Sequence, residues 1–204
     1  MQTGAILFEK NADASMPPAS MSKLMTIYMV FERLRDGRLS LDDSFPVSEN
    51  AWRKGGAKSG SSTMFLEPGK RVRVEDLIRG IIVQSGNDAC IVVAEALSGS
   101  EQAFAAEMTE KARQIGLTNS TFTNSTGWPD EFHRMTAKDL ALLAQRIILD
   151  FPEYFHYFSE KSFVYNGIKQ SNRNPLIYKG MGSDGLKTGY TEESGYGLTA
   201  SVLR

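Results

Sequence analysis

The order of local patterns along the 204 residues predicts an α+β fold: a sheet layer that carries a mostly helical insertion. Three observations predict it. Helical periodicity recurs between residue 22 and about 149, strand patterning is confined to the two ends, and no βαβ alternation or internal repeat is present. The sheet layer is expected from about 1–19 and 160–204, and the helical subdomain from about 20–150, all within one domain of 1–204.

The elements follow in order. "GAILFEKNAD" reads as a short strand ending in an Asn/Asp turn, and "PPAS" at residues 17–20 stops any helix from starting before about Ser20. From Ser22 to Asp36, Leu24, Met25, Tyr28, Phe31 and Leu34 recur at steps of three and four, a pattern that buries nearly all of the helix until Gly37 ends it. In "VSENAW" Ser48 is an ordinary N-cap, and "KGGAKSGSS" at 54–62 is expected to be a mobile surface loop. "VEDLIRGIIV" is a short helix, "QSGN" interrupts it, and "DACIVVAEAL" resumes helical periodicity to Gly99. A helix over about 101–115 stops at Gly116, and "TAKDLALLAQRIIL" opens with the capping-box pair Thr136 and Asp139. Strand character returns in "SFVYN", weakly in "PLIY" and clearly in "GYGLTASVL".

Composition narrows the function classes. With 23 Lys and Arg against 24 Asp and Glu, no basic face for nucleic acid is implied. The single Cys90 excludes an internal disulfide framework, and reads as a buried structural thiol. His133 and His156 stand far apart, so no metal-ligand spacing appears and no metal or other cofactor is expected; both read as surface or packing residues. The N-terminal apolar run "AILF" is too short for a signal peptide, and no stretch approaches the roughly 20 apolar residues of a membrane helix.

Three short patterns carry chemistry. Ser20 and Lys23 are three apart at a helix start, so the amine can reach the hydroxyl. On its own the pair also reads as a capping serine with a lysine nearby, since S-x-x-K arises by chance about once in a chain of this length. "SGN", Ser85 to Asn87, breaks two apolar helical runs, whereas its decoy "SEN" at 48–50 is the N-cap already described. "KTG", Lys187 to Gly189, leads into an alternating strand, whereas its decoy "KSG" at 58–60 lies in the Gly/Ser loop. An ordinary lysine, pKa about 10.4, is neutral in fewer than about one molecule in a thousand at pH 7. Lys23 therefore serves as a base only if burial or a second cation, expected to be Lys187, lowers its pKa.

In this order the three patterns resemble the penicillin-binding and serine β-lactamase superfamily. The stretches "FEKNAD", "PPASMSKLMT", "FLEPGKRVRVEDLIRGIIVQSGNDAC", "FVYNGIKQSNRNPLIY" and "DGLKTGYTEESGYGLTAS" resemble the low-molecular-mass D-alanyl-D-alanine carboxypeptidases, from about Thr3 to Ser201. The resemblance implies a β-lactamase/transpeptidase-like fold, an antiparallel sheet flanked by helices with the site in the cleft beside a helical subdomain. It implies a peptidoglycan stem peptide ending in D-Ala-D-Ala as substrate and β-lactams as covalent inhibitors. It also implies a place in the periplasm or on the outer face of the bacterial cytoplasmic membrane, and a C-terminal part of the family domain, including any membrane-binding segment, that is absent from this sequence.

By that resemblance Ser20 is the nucleophile, Lys23 its base and Ser85 a proton relay, while Asn87 binds the substrate amide. Lys187, Thr188 and Arg173 would hold the terminal carboxylate, and the N–H groups of Ser20 and of Tyr190, after Gly189, the oxyanion. A serine β-lactamase is a competing reading, but the E-x-x-L-N deacylation motif of its class A members does not occur here. A non-catalytic penicillin- or peptidoglycan-binding domain is the other.

Overall fold

The computed structural model describes residues 4–202. A 3-10 turn, Ala19–Ser22, leads into α1, Lys23–Arg35; β1, Ser44–Pro46, and α2, Glu49–Gly55, follow. Next come β2, Arg71–Arg73; α3, Val74–Ile82; α4, Asn87–Ser98; α5, Glu101–Gln114; and α6, Ala137–Asp150. The chain ends with β3, Ser162–Tyr165; β4, Ile168–Ser171; β5, Ser183–Thr191; and β6, Gly195–Val202. Among the described residues the strands form three two-stranded antiparallel sheets, β1–β2, β3–β4 and β5–β6. The fold is α+β, as predicted.

α1 is the axis of the core. Residues 23–31 and Leu34 are all buried, as a helix that is apolar around most of its circumference requires, and it packs against α3, α4, α5 and α6. Gly37, at φ +70°, ends it: the N–H groups of Gly37 and Arg38 turn back to the carbonyls of Leu34 and Arg33. Phe31 meets Phe151 and Phe158 edge-on, and the Phe158 segment in turn supports β5, where a Cβ on Gly185 would lie 3.0 Å from Phe158 Cβ. The caps expected at Ser48 and Thr136 form: each hydroxyl accepts the backbone N–H three residues on.

Three local expectations are corrected. Residues 4–10 form no strand and join none of the three described sheets; Ile6, Leu7 and Phe8 are exposed at 70, 96 and 84%, so the run lacks the packing partner that a strand's alternating faces require. The expected start of the sheet layer at residues 1–3 lies outside the described residues. "PLIY" is a 3-10 turn, Pro175–Tyr178, since Pro175 brings no N–H to a ladder and the Asn174 side chain caps the N–H of Leu176 at 3.0 Å. The Gly/Ser/Lys segment is no free loop: it contains the end of α2 and a 3-10 turn, and Gly55 lies so close to α4 that a Cβ there would sit 2.2 Å from the Asp88 nitrogen.

Candidate active site

Ser20 does not cap a helix. It sits inside the 3-10 turn with no capping hydrogen bond, and the α-helix proper begins at Lys23. The difference serves the geometry, because residues three apart eclipse on a 3-10 turn. Lys23 Nζ accordingly lies 2.8 Å from Ser20 Oγ. Ala19, at φ +48°, bends the chain into this turn, a strained conformation of the kind that clusters at functional sites.

A second segment completes the lysine's surroundings. Lys23 Nζ donates to the Thr126 carbonyl at 2.6 Å. That carbonyl is aimed by Asn124, whose Oδ1 accepts the N–H groups of Thr126, Gly127 and Trp128. Gly127, at φ +80°, allows the close approach, since a Cβ there would lie 1.9 Å from the Ala19 carbonyl oxygen. Thr26 Oγ1 donates to the Ser125 carbonyl at 2.7 Å and ties the same segment to α1.

Ser85 and Asn87 come from the break between α3 and α4. Ser85 takes φ +64°, and its hydroxyl accepts from Lys187 Nζ at 3.0 Å. Asn87 opens α4 and donates its backbone N–H to the Ser62 carbonyl at 2.7 Å. The buried Asp88 beside it receives the N–H groups of Met64 and Leu66 and the Thr63 hydroxyl, and so holds residues 63–66 against the start of α4.

The β5–β6 hairpin closes the other side. Gly189 and Gly197 face each other in register over the 3-10 turn; a Cβ on Gly189 would lie 3.1 Å from the Pro18 carbonyl oxygen and one on Gly197 2.4 Å from Met21 Cε. Lys187 is thereby set behind Ser85, donating to the Thr188 carbonyl as well, at 3.0 Å. Ser20, Ser85, Asn87, Arg173, Thr188, Gly189 and Tyr190 all line one cleft of about 1080 Å³, with Lys23 and Lys187 buried beneath its surface. Arg173 donates to Ser62 Oγ at 2.6 Å and has no carboxylate partner among the described residues.

Electrostatics follow from burial. Lys23 is lowered to about 8, first by desolvation and then by the positive charge of Arg173. Lys187 is pushed well below the usual lysine range by burial and then by Lys23. Lys23 and Lys187 repel each other, and Arg173 bears on both. Burial raises the Cys90 thiol to about 12, so it is neutral at pH 7 and adds no charge to the site. His133 is buried against Phe122 and lowered to about 4 by burial, a packing residue, whereas His156 lies at the surface.

The motif residues are brought together. Thr126, Gly127, Asp88 and Ser62 were not found from the sequence, because three act through the backbone or through packing. Only the "NST" turn at Asn124, followed by a glycine, hinted at the first two.

The whole chain, residues 1–204, matches the Peptidase_S11 family, D-alanyl-D-alanine carboxypeptidase. It is 44% identical over 204 residues to the D-alanyl-D-alanine carboxypeptidase DacC of Escherichia coli, an alignment that covers 99% of this chain and 51% of that one. It is 38% identical over 211 residues to DacF of Bacillus subtilis, covering 99% and 52%. The chain thus spans about half the length of these relatives. The crystal structure of the carboxypeptidase DacD from Francisella tularensis superimposes with a TM-score of 0.94 at 33% identity, over 100% of this chain and 60% of that one. The ampicillin-bound penicillin-binding protein D2 of Listeria monocytogenes does so at 0.82 and 31% identity, over 100% and 81%.

Proposed function

The chain belongs to the D-alanyl-D-alanine carboxypeptidase family, and on that premise we propose that it is a serine peptidase that removes the terminal D-alanine from peptidoglycan stem peptides through an acyl-enzyme on Ser20. The observation that carries the reading is the buried Lys23 amine 2.8 Å from a serine hydroxyl that opens into a cleft.

At a pKa of about 8, roughly one Lys23 in ten is neutral at pH 7, about two hundredfold more than for an ordinary lysine. The neutral amine keeps the Thr126 carbonyl as acceptor for one N–H and turns its lone pair to the Ser20 hydroxyl. As Lys23 takes the proton, Ser20 Oγ attacks the carbonyl between the two terminal D-alanines. Ser85, on Lys187, passes a proton to the leaving nitrogen. D-alanine departs, and water hydrolyses the ester. Arg173, Lys187 and Thr188 bind the terminal carboxylate, whose charge favours the protonated Lys187, and Asn87 binds the substrate amide. The N–H groups of Ser20 and Tyr190 receive the oxyanion, at about 3 kcal/mol for each donor. Gly189 lets β5 lie against the Ser20 turn.

A β-lactam offers the same carboxylate and a strained amide, and acylates Ser20 in this reading. The substrate lies outside the cytoplasmic membrane, so the reading places the protein in the periplasm or on that membrane's outer face. Among the described residues no helix is long and apolar enough to cross a membrane. The test is covalent labelling by a fluorescent penicillin together with D-alanine release from diacetyl-Lys-D-Ala-D-Ala. Both are expected for the chain, and neither for Ser20→Ala; unchanged labelling of Ser20→Ala sinks the assignment.

A further inference from the structure

Between Asn124 and Trp128 the chain makes a turn built around one amide oxygen. Asn124 Oδ1 accepts the backbone N–H groups of Thr126, Gly127 and Trp128 at 3.1, 2.8 and 3.2 Å, and the Thr126 hydroxyl at 3.0 Å. Its Nδ2 donates to the Trp128 carbonyl at 3.0 Å, so one side chain supplies both acceptor and donor to the turn.

Two of those N–H groups each fix a carbonyl. In a trans peptide unit the N–H and the C=O point in opposite directions, and both units concerned are trans. With the Gly127 N–H turned to Asn124, the Thr126 carbonyl points away from it and meets Lys23 Nζ at 2.6 Å. With the Thr126 N–H turned to Asn124, the Ser125 carbonyl meets Thr26 Oγ1 at 2.7 Å. One amide oxygen thus delivers two successive carbonyls to α1, at residues 23 and 26. Glu101, the first residue of α5, ties the turn from another element: its Oε1 accepts the Ser125 hydroxyl at 2.8 Å and the Ser125 N–H at 3.2 Å.

A neutral amine has two N–H groups and one lone pair, so its polarity toward a neighbouring hydroxyl depends on where the N–H groups are taken up. Among the described residues Lys23 Nζ is bonded to Ser20 Oγ and to the Thr126 carbonyl. The carbonyl can only accept, and so it holds an N–H and leaves the lone pair for Ser20. Without it the amine is free to donate to Ser20 Oγ, the wrong sense for taking its proton.

We propose that Asn124 is a positioning residue of the acylation step, its amide oxygen setting the Thr126 carbonyl that aims the Lys23 lone pair at Ser20. This rests on the reading of Lys23 as the base. Lys23 is also faced by Arg173, by Lys187 on β5, by Asp88 and Cys90 on α4, and by His133 beyond the turn. A change at Asn124 removes none of these groups.

The test is the rate of acylation by a saturating penicillin from pH 5 to 9, in the chain and in two variants. In Asn124→Ala the maximal rate is expected to fall about thirtyfold. Its acid limb moves to lower pH, because a carbonyl dipole that favours the ammonium is lost. In Asn124→Asp a carboxylate oxygen receives the same N–H groups and most of the rate returns, while the added charge moves the acid limb up by about half a pH unit. Thermal melting reports whether each variant is folded. A purely structural role lowers rate and melting temperature and leaves the acid limb in place; that result, or an unaltered rate in Asn124→Ala, overturns this proposal alone. Should Asn124→Ala fail to fold, Asn124→Asp decides: an acid limb in its original place overturns the proposal. No acylation of the unaltered chain at any pH overturns the reading of Lys23 as base, and this proposal with it.

Discussion

The two walls of the cleft are built differently. On the helical side the proposed base is enclosed: Lys23 is 1% exposed and held by two segments, and Asp88 gathers three backbone or hydroxyl donors of 63–66. On the hairpin side β6 stands with little cover, Tyr196 exposed at 91%, Leu198 at 45% and Val202 at 47%, while β5 is buried at Leu186 and Lys187. The hairpin touches the Ser20 turn through Gly189 and Gly197, and the helical wall holds it through Gly127 and the Lys23 hydrogen bond. The contrast teaches where each task is placed. A base that must be neutral near pH 7 needs burial, and Lys23 has it at the start of α1 in the helical core. Recognition of a varied peptide suits an edge strand whose far side meets solvent.

The first way to break this comparison is Lys23→Met. If the helical wall carries the proton chemistry, acylation by penicillin falls about a thousandfold or more, while the melting temperature holds, because a thioether escapes the desolvation cost of a buried amine. A matching loss of folding would mean that Lys23 serves structure.

A finer comparison sets two glycines that grip the same 3-10 turn from opposite walls. Gly127→Ala puts a methyl 1.9 Å from the Ala19 carbonyl oxygen at φ +80°, with backbone on both sides of the clash. It is expected to cost about 3 kcal/mol, and to slow acylation by displacing Ser20. Gly189→Ala meets Pro18 and Ala19 only at 3.1 and 3.2 Å, and is expected to cost about 1 kcal/mol or less. Chemical denaturation of the two variants checks the order; equal losses would mean that the hairpin holds the turn as firmly as the helical wall does.

The helical wall was also the more legible in sequence. Ser20, Lys23, Ser85 and Asn87 stand in short patterns, and the burial of α1 follows from its three- and four-residue periodicity. Thr126 was not legible, because it contributes a carbonyl, which every residue owns, and only the Asn124 turn decides where it points. The offset of the helix start from Ser20 to Lys23 was missed as well. Two prolines fix where a helix cannot begin, but do not say whether its first turn is 3-10 or α. At the chain's start an apolar run looked like a strand, yet strand formation depends on a neighbouring edge that no local pattern encodes. That Arg173 adds its charge to the surroundings of Lys23 is a tertiary fact of the same kind.

The central claim is that burial makes Lys23 a base near neutral pH. A protonated amine cannot accept the Ser20 proton, so the acylation rate must rise with pH as Lys23 loses its proton. The direct measurement is the rate of acylation by a penicillin between pH 6 and 10. The account predicts a tenfold rise per pH unit on the acid side of about 8, with the rise ending near that pH and the rate falling at higher pH as Lys187, whose charge helps to hold the penicillin's carboxylate, loses its proton. A rate flat through pH 8, or one still climbing at pH 10 as for an ordinary lysine, would contradict it.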